Sequence, residues 1–240
     1  MNTAKHLSKI ALIPALALGL AACSDNDDDL TTKEFQVSII NLSNNQPMSP
    51  VALILHQSDY SGWTLSEAAT NGLEVLAEGG DNSAFIAEAQ ANDTEFLASS
   101  SSEGILAPGA STSLTVTTQE VGVIEMTLAT MLVNTNDAFT GSTGISLTSM
   151  TVGQEVRYNL PVYDAGTEFN SELAGTIPGP ADGGEGFNST RDDTADQVTR
   201  HSGVVGANVD GGLDENPLSA LDESHKFDAP IARIVVTRTN

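Results

Sequence analysis

The sequence predicts a mainly β fold: an antiparallel β-sandwich with one or two short helices packed at the side and long acidic loops. Three features predict it. Apolar and polar residues alternate with period two in several short stretches, as on a strand with one buried face. Helical spacing of apolar residues is confined to residues 64–77 and, more weakly, 83–90. The intervening stretches are long, turn-rich and acidic, in a chain with 32 Asp and Glu against 9 Lys and Arg.

Residues 1–22 read as an address. Lys5 and Lys9 precede an apolar run from Ile10 to Ala22 that is too short to span a bilayer and is interrupted by Pro14, the pattern of a secretory signal. Leu20-Ala21-Ala22-Cys23 is similar to a bacterial lipobox, which implies that Cys23 is lipidated and becomes the new amino terminus. Cys23 is the single cysteine of the chain, so intramolecular disulfides and thiolate zinc clusters are excluded. A multiply acylated terminus is a stable anchor, since each buried methylene contributes about 0.8 kcal/mol. The expected location is the bacterial cell envelope, at the outer membrane or periplasmic face. Residues 23–33, with Asp25, Asp27, Asp28 and Asp29, form an acidic tether that extends by self-repulsion. Residues 34–240 form the folded domain.

Within it, residues 34–42 alternate Phe35, Val37 and Ile39 against Gln36 and Ser38, a half-buried strand. Residues 51–55 are almost continuously apolar and read as a strand of the core. In residues 64–77, Leu65, Ala68, Ala69, Gly72, Leu73, Leu76 and Ala77 define one helical face. Thr64 and Glu67 are spaced as a capping box, and Gly79-Gly80 ends the helix. The helices read as structural cover for a sheet edge or end. Residues 92–108 read as loop, and residues 111–118 as a half-exposed strand with Leu114 and Val116 inward.

The region from 122 to 170 carries the chemistry. Extended runs at 122–133, 145–150 and 155–162 read as an antiparallel meander, up, down and up. Two acidic loops, 134–144 and 163–170, then emerge at one end of the sheet. Asp137, Asp164 and Glu168 meet there, and three carboxylates with nearby carbonyls are the hard-oxygen set that Ca²⁺ prefers. Residues 178–230 are long for a loop in a compact domain. Asp192, Asp193, Asp196, Asp210 and Asp214 offer a weaker second cation site there, and residues 208–211 are faintly like part of a calcium loop. Residues 231–239 supply the last strand, beside the first.

The formal net charge is −23, and −25 once the two lysines of the leader are gone. That excludes nucleic acid as a partner and simple attraction to anionic lipid headgroups, so contact with a membrane is through the lipid anchor only. No G-x-S-x-G, H-E-x-x-H, P-loop or G-x-G-x-x-G pattern is present. The enzyme alternative is a carboxylate-based hydrolase of glycans using Asp137 and Asp164. Trp63 is the only tryptophan available to stack on sugar, and the expectation is that the protein is not an enzyme.

MLVNTNDAFTG (131–141), YDAGTE (163–168), the Gly/Asp-rich stretch and the closing IARIVVTR (231–238) together resemble the spondin N-terminal domain family. The similarity runs from about residue 34 to residue 238. The resemblance implies a β-sandwich with Ca²⁺ held by carboxylates that fall on Asp137, Asp164 and Glu168. Glu168 stands where Asp is expected, and Ala138 where an aromatic is common. It further implies a secreted, non-enzymatic adhesion or interaction module whose partner is an extracellular or envelope protein or a glycan.

Overall fold

A computed structural model of the chain describes residues 31–119, 122–193, 195–207 and 216–240. In chain order the strands are β1 (Thr32–Asn41), β2 (Ala52–His56), β3 (Phe96–Ser101), β4 (Ser111–Gln119), β5 (Glu125–Met131), β6 (Ala138–Ser146), β7 (Glu155–Leu160), β8 (Val162–Asp164), β9 (Thr199–Arg200) and β10 (Ala232–Arg238). Two helices, α1 (Asn71–Gly79) and α2 (Ser83–Gln90), lie between β2 and β3.

The alternating stretches behave as their period dictates. Phe35, Val37 and Ile39 of β1 are buried while Gln36 is exposed. Val37 pairs with Leu114 of β4 on one side and Val236 of β10 on the other. This gives a four-stranded antiparallel sheet in the order β4-β1-β10-β7. The second sheet runs β3-β2-β5-β6-β8-β9. The first core cluster fills the space between the sheets with Phe35, Val37, Ile39, Leu53, Leu55, Met126, Leu128, Ile234 and Val236. Each fully buried Leu, Ile or Phe there contributes about 1.5–3 kcal/mol by removal from water.

The helices do not cap an edge or an end. They cover the outer face of the six-stranded sheet, where Leu73, Leu76 and Phe85 pack on Ile54, Ala129, Met131 and Phe139. The reason is visible in β2, whose five residues are all buried: a strand apolar on both faces needs a layer on each. Trp63 closes this layer beside the rim, edge-on to Phe139 and Tyr163 at 5.0 and 5.3 Å.

Three further expectations change. The first helix starts at Asn71 rather than at residue 64, because residues 66 and 67 form backbone bonds with Val198 (Ser66 N–H to Val198 O, 2.9 Å; Val198 N–H to Glu67 O, 2.8 Å). The true cap is Thr70, whose hydroxyl accepts from Leu73 N–H at 3.2 Å. Gly80, at φ 70°, ends the helix with its N–H on Leu76 O. Residues 96–101 are a strand, not a loop: the serine-rich sequence lacks a strand's usual side chains, but its backbone pairs along the edge of β2. Finally, the extended run 155–162 divides at Pro161. Residues before it pair with β10 in one sheet, and residues after it pair with β6 in the other.

Helix α1 therefore depends on one hydroxyl for its start. Thr70→Ala should lower stability by about 1 kcal/mol, read as a shifted midpoint in urea or thermal unfolding with an unchanged folded-state spectrum.

Candidate metal centre

Each residue of the turn from β5 to β6 has a separate task. Thr135 closes it, donating to Leu132 O at 2.6 Å and accepting from Ala138 N–H at 3.1 Å. Asn134 and Asn136 bind outward. Asn134 donates to Asn45 O and accepts from Ala181 N–H, both at 3.0 Å. Asn136 donates to Thr176 Oγ1 at 3.0 Å and accepts from Glu172 N–H at 3.3 Å. Asp137 turns instead toward the loop that follows β8. Its Oδ2 accepts from the N–H of Thr167 (2.8 Å), the hydroxyl of Thr167 (3.3 Å) and the N–H of Glu168 (3.2 Å). Its Oδ1 is buried and has no hydrogen-bond partner.

Asp137, Asp164 and Glu168 thus come to one rim through an antiparallel meander, but with other strands than expected. The middle strand is β6, which begins at Ala138 inside the predicted first loop, and the third is the short β8, since residues 155–160 belong to the other sheet. β5 rises into the turn, β6 descends from it, and β8 rises beside β6 with Asp164 opposite Ala138. The following loop needs Gly166: its φ is 72°, and a Cβ there would stand 2.3 Å from Gln197 O.

The three carboxylates face different neighbours. Asp164 Oδ1 accepts from Gly166 N–H at 2.8 Å, and Oδ2 accepts from the Asn170 amide. Asn170 Oδ1 in turn meets His201 Nε2 at 3.0 Å. Glu168 lies on the other side, among Glu78, Asp137, Asp192 and Glu185. Asp137 interacts with both, repelled by Asp164 and repelling Glu168.

Burial and like charge act together here. Burial first, then the Asp164 charge, push Asp137 up from 3.8 to about 7, against the bonds from Thr167 and Glu168. Burial, then Glu78, Asp137, Asp192 and Glu185, push Glu168 up from 4.5 to about 8. Glu78 is also raised, by burial above all, with Glu74 adding to it. Its side chain is 1% exposed, yet its Oε1 has no partner. The nearby guanidinium of Arg191 is taken by Glu74 at 2.7 Å, Asp196 at 2.6 Å and Ala69 O at 2.8 Å.

Among the described residues no three His, Cys, Asp or Glu side chains already stand at metal-ligand spacing. The donor set nonetheless fits a hard divalent cation. It is all oxygen, it includes two buried carboxylate oxygens without donors, and its charges oppose one another. Glu78, Glu185 and Asp192 join this set only in three dimensions. The sequence carried one signal for Glu78: Glu74 and Glu78 are like charges at i, i+4 beside the apolar stripe of α1.

Other candidates resolve differently. Asp192 accepts from Phe169 N–H, Asp193 from Ala195 N–H, and Asp196 pairs with Arg191, so these three do not form a second centre. Asp210, Asp214 and residues 208–211 lie outside the described residues, as do Cys23 and the whole of residues 1–30. His56 is a buried structural residue, held by Gln57 O at 2.6 Å and Thr127 Oγ1 at 2.9 Å. Asp137 has no exposed surface, so it and Asp164 do not face one another across an open cleft as a hydrolytic pair would.

A family model described as Spondin_N matches residues 42–177. The chain belongs to the Spondin_N family. The match to this spondin domain includes Glu78 and both acidic loops, and stops before the 178–230 excursion and β10. It is therefore shorter than the resemblance drawn from motifs alone. The family is one of extracellular interaction-type domains and is not known for catalysis. A comparison with curated proteins gives no match. Among the described residues no helix is long and apolar enough to cross a membrane.

Raised acids stabilise the fold while protonated, and that stability is lost as pH rises through their folded values. For Asp137 and Glu168 it is complete below 3.8 and 4.5 and is lost on passing about 7 and about 8. Chelator-treated protein should therefore melt at falling temperature as pH rises across that window. Burial lowers the pKa of His56 and of His201, and these groups act in the opposite sense, their stabilisation being lost as pH falls below 6.5. The isolating comparison is with Asp137→Asn, whose melting profile should be flatter on the alkaline side.

Proposed function

We propose that the protein is a lipid-anchored, non-enzymatic envelope module that binds Ca²⁺ at the rim of its sandwich and presents that rim to an extracellular or envelope protein or a glycan. The observation that carries the reading is the Asp137 carboxylate. It is wholly buried, it organises the loop after β8 through one oxygen, and its other oxygen has no donor. A buried carboxylate left half-satisfied is costly unless a proton or a cation completes it. Asp137, Asp164 and Glu168 would hold the ion, and the ion would join the two loops that their own charges drive apart.

Pocket geometry supports the rim as the presenting surface. A cavity of about 450 Å³ elsewhere is lined by Ser202, Gly203, Val204, Val205, Glu223, Lys226, Phe227 and Asp228. The cavity of about 300 Å³ beside Glu168 also includes Asn136, Phe169, Asn188 and Asp192. Of the two, only the second adjoins the carboxylates, and its Phe169 is half exposed.

Calcium titrated calorimetrically into decalcified protein should give saturable binding, with affinity reduced at least tenfold in Asp137→Asn. At a free concentration 100 times the dissociation constant the ion should stabilise the fold by about 2.7 kcal/mol. No heat of binding, together with identical melts in calcium and chelator, would remove the ion from the account.

The anchor rests on the leader and on Cys23 immediately after it. In a bacterial host with lipoprotein processing, Cys23→Ser should abolish incorporation of labelled palmitate and move the protein from the membrane to the soluble fraction. Unchanged labelling would refute the anchor.

A further inference from the structure

Helix α1 belongs to the outer layer, yet its last turn reaches the rim. Glu78 there is 1% exposed. Its Oε2 accepts from Asn188 N–H at 2.9 Å, while its Oε1 is buried without a donor. The helix supplies no compensation: it has no basic residue in its last turn. A carboxylate at that end faces the negative pole of the macrodipole and is disfavoured. Thr167 lies between Glu78 and Asp137 and lowers the pKa of both, but its hydroxyl has one proton and donates it to Asp137 Oδ2. Among the charges acting on Glu168, that of Glu78 is the largest. Glu78 and Asp137 therefore border the same Thr167 side chain, each with one bare oxygen, while Arg191 is held by Glu74 and Asp196.

We propose that Glu78 is a further ligand of the rim cation, approaching from the helix layer, so that the ion links helix α1 to both acidic loops. This rests on the reading of a divalent cation at the rim and adds a residue to it. The long side chains of Glu78 and Glu168 have the rotatable bonds to bring their oxygens to the 2.3–2.6 Å that Ca²⁺ requires. The inference also gives Glu168 a physical place. A carboxylate one methylene longer than Asp reaches further toward the helix, and Glu78 stands on that side. An ion between them would turn the strongest repulsion on Glu168 into shared coordination.

The test is calcium titration of decalcified wild type, Glu78→Gln and Asp137→Asn at one pH, with thermal melts of each in chelator. Glu78→Gln should bind calcium at least tenfold more weakly, yet melt no lower than wild type without calcium, because it removes a buried charge with one oxygen unsatisfied. A merely structural Glu78 would instead lower the chelator melt and leave the affinity unchanged. Hydrogen exchange on the wild-type chain provides a second reading that requires no variant. Calcium should slow the amides of residues 76–80 along with those of residues 165–170. If wild type binds and Asp137→Asn does not, but Glu78→Gln binds as wild type and residues 76–80 are unaffected, Glu78 is not a ligand and the rim site stands. If wild type fails to bind, both readings fall.

Discussion

One carboxylate, that of Asp137, joins the two loops at the rim. Its Oδ2 collects three donors from Thr167 and Glu168, and its backbone carbonyl accepts from Ala165 N–H. Those bonds shape the loop after β8, and that loop in turn receives Asp192 and Asp193 on Thr167 O and Gln197 beside Gly166. A charge at this depth is expensive in a low-dielectric interior, and hydrogen bonds to one oxygen offset only part of the cost. The remainder appears as the raised pKa values of Asp137, Glu168 and Glu78, for each of which burial is the first cause. Structural order and electrostatic frustration at the rim therefore have a common origin.

The sandwich explains why that frustration is tolerated. Two apolar clusters, one between the sheets and one beneath the helices, hold β5, β6 and β8 in register independently of the rim. The acids are concentrated where strands end, so their repulsion acts on loops rather than on the ladders. The excursion after residue 170 is fixed by similar means. Glu172 is buried and accepts from Val205 N–H, Gly206 N–H and the Ser219 hydroxyl. There a carboxylate with its donors in place orders a chain segment with little apolar content. The contrast with Glu78, which has a bare oxygen at similar burial, is what singles out Glu78.

Much of this architecture follows from periodicity. β1, β4 and β10 alternate so regularly that their inward faces, and the pairing of the last strand with the first, are read directly from residues such as Phe35, Leu114 and Ile234. Helix α2 is placed correctly for the same reason. Misplaced elements are those governed by long-range partners. Residues 64–70 have helical spacing, but they form a turn with Ser66 at φ 66°, tied by backbone bonds to Val198. β3 is a strand because β2 offers an edge, not because FLASSS prefers one. Pro161 divides an extended run between sheets, a decision made by two separate partners, β10 and β6.

By itself the sequence determined the sandwich class, the family motifs and the convergence of Asp137, Asp164 and Glu168 on one end, because alternation, turn chemistry and acidic loops are local properties. Tertiary structure alone decided which neighbour each acid faces. Asp164 is turned to Asn170 and Asp137 is buried, while Glu168 meets Glu78 from a helix ninety residues earlier in the chain. Charge interaction depends on distance and burial, and neither is encoded in spacing along the chain.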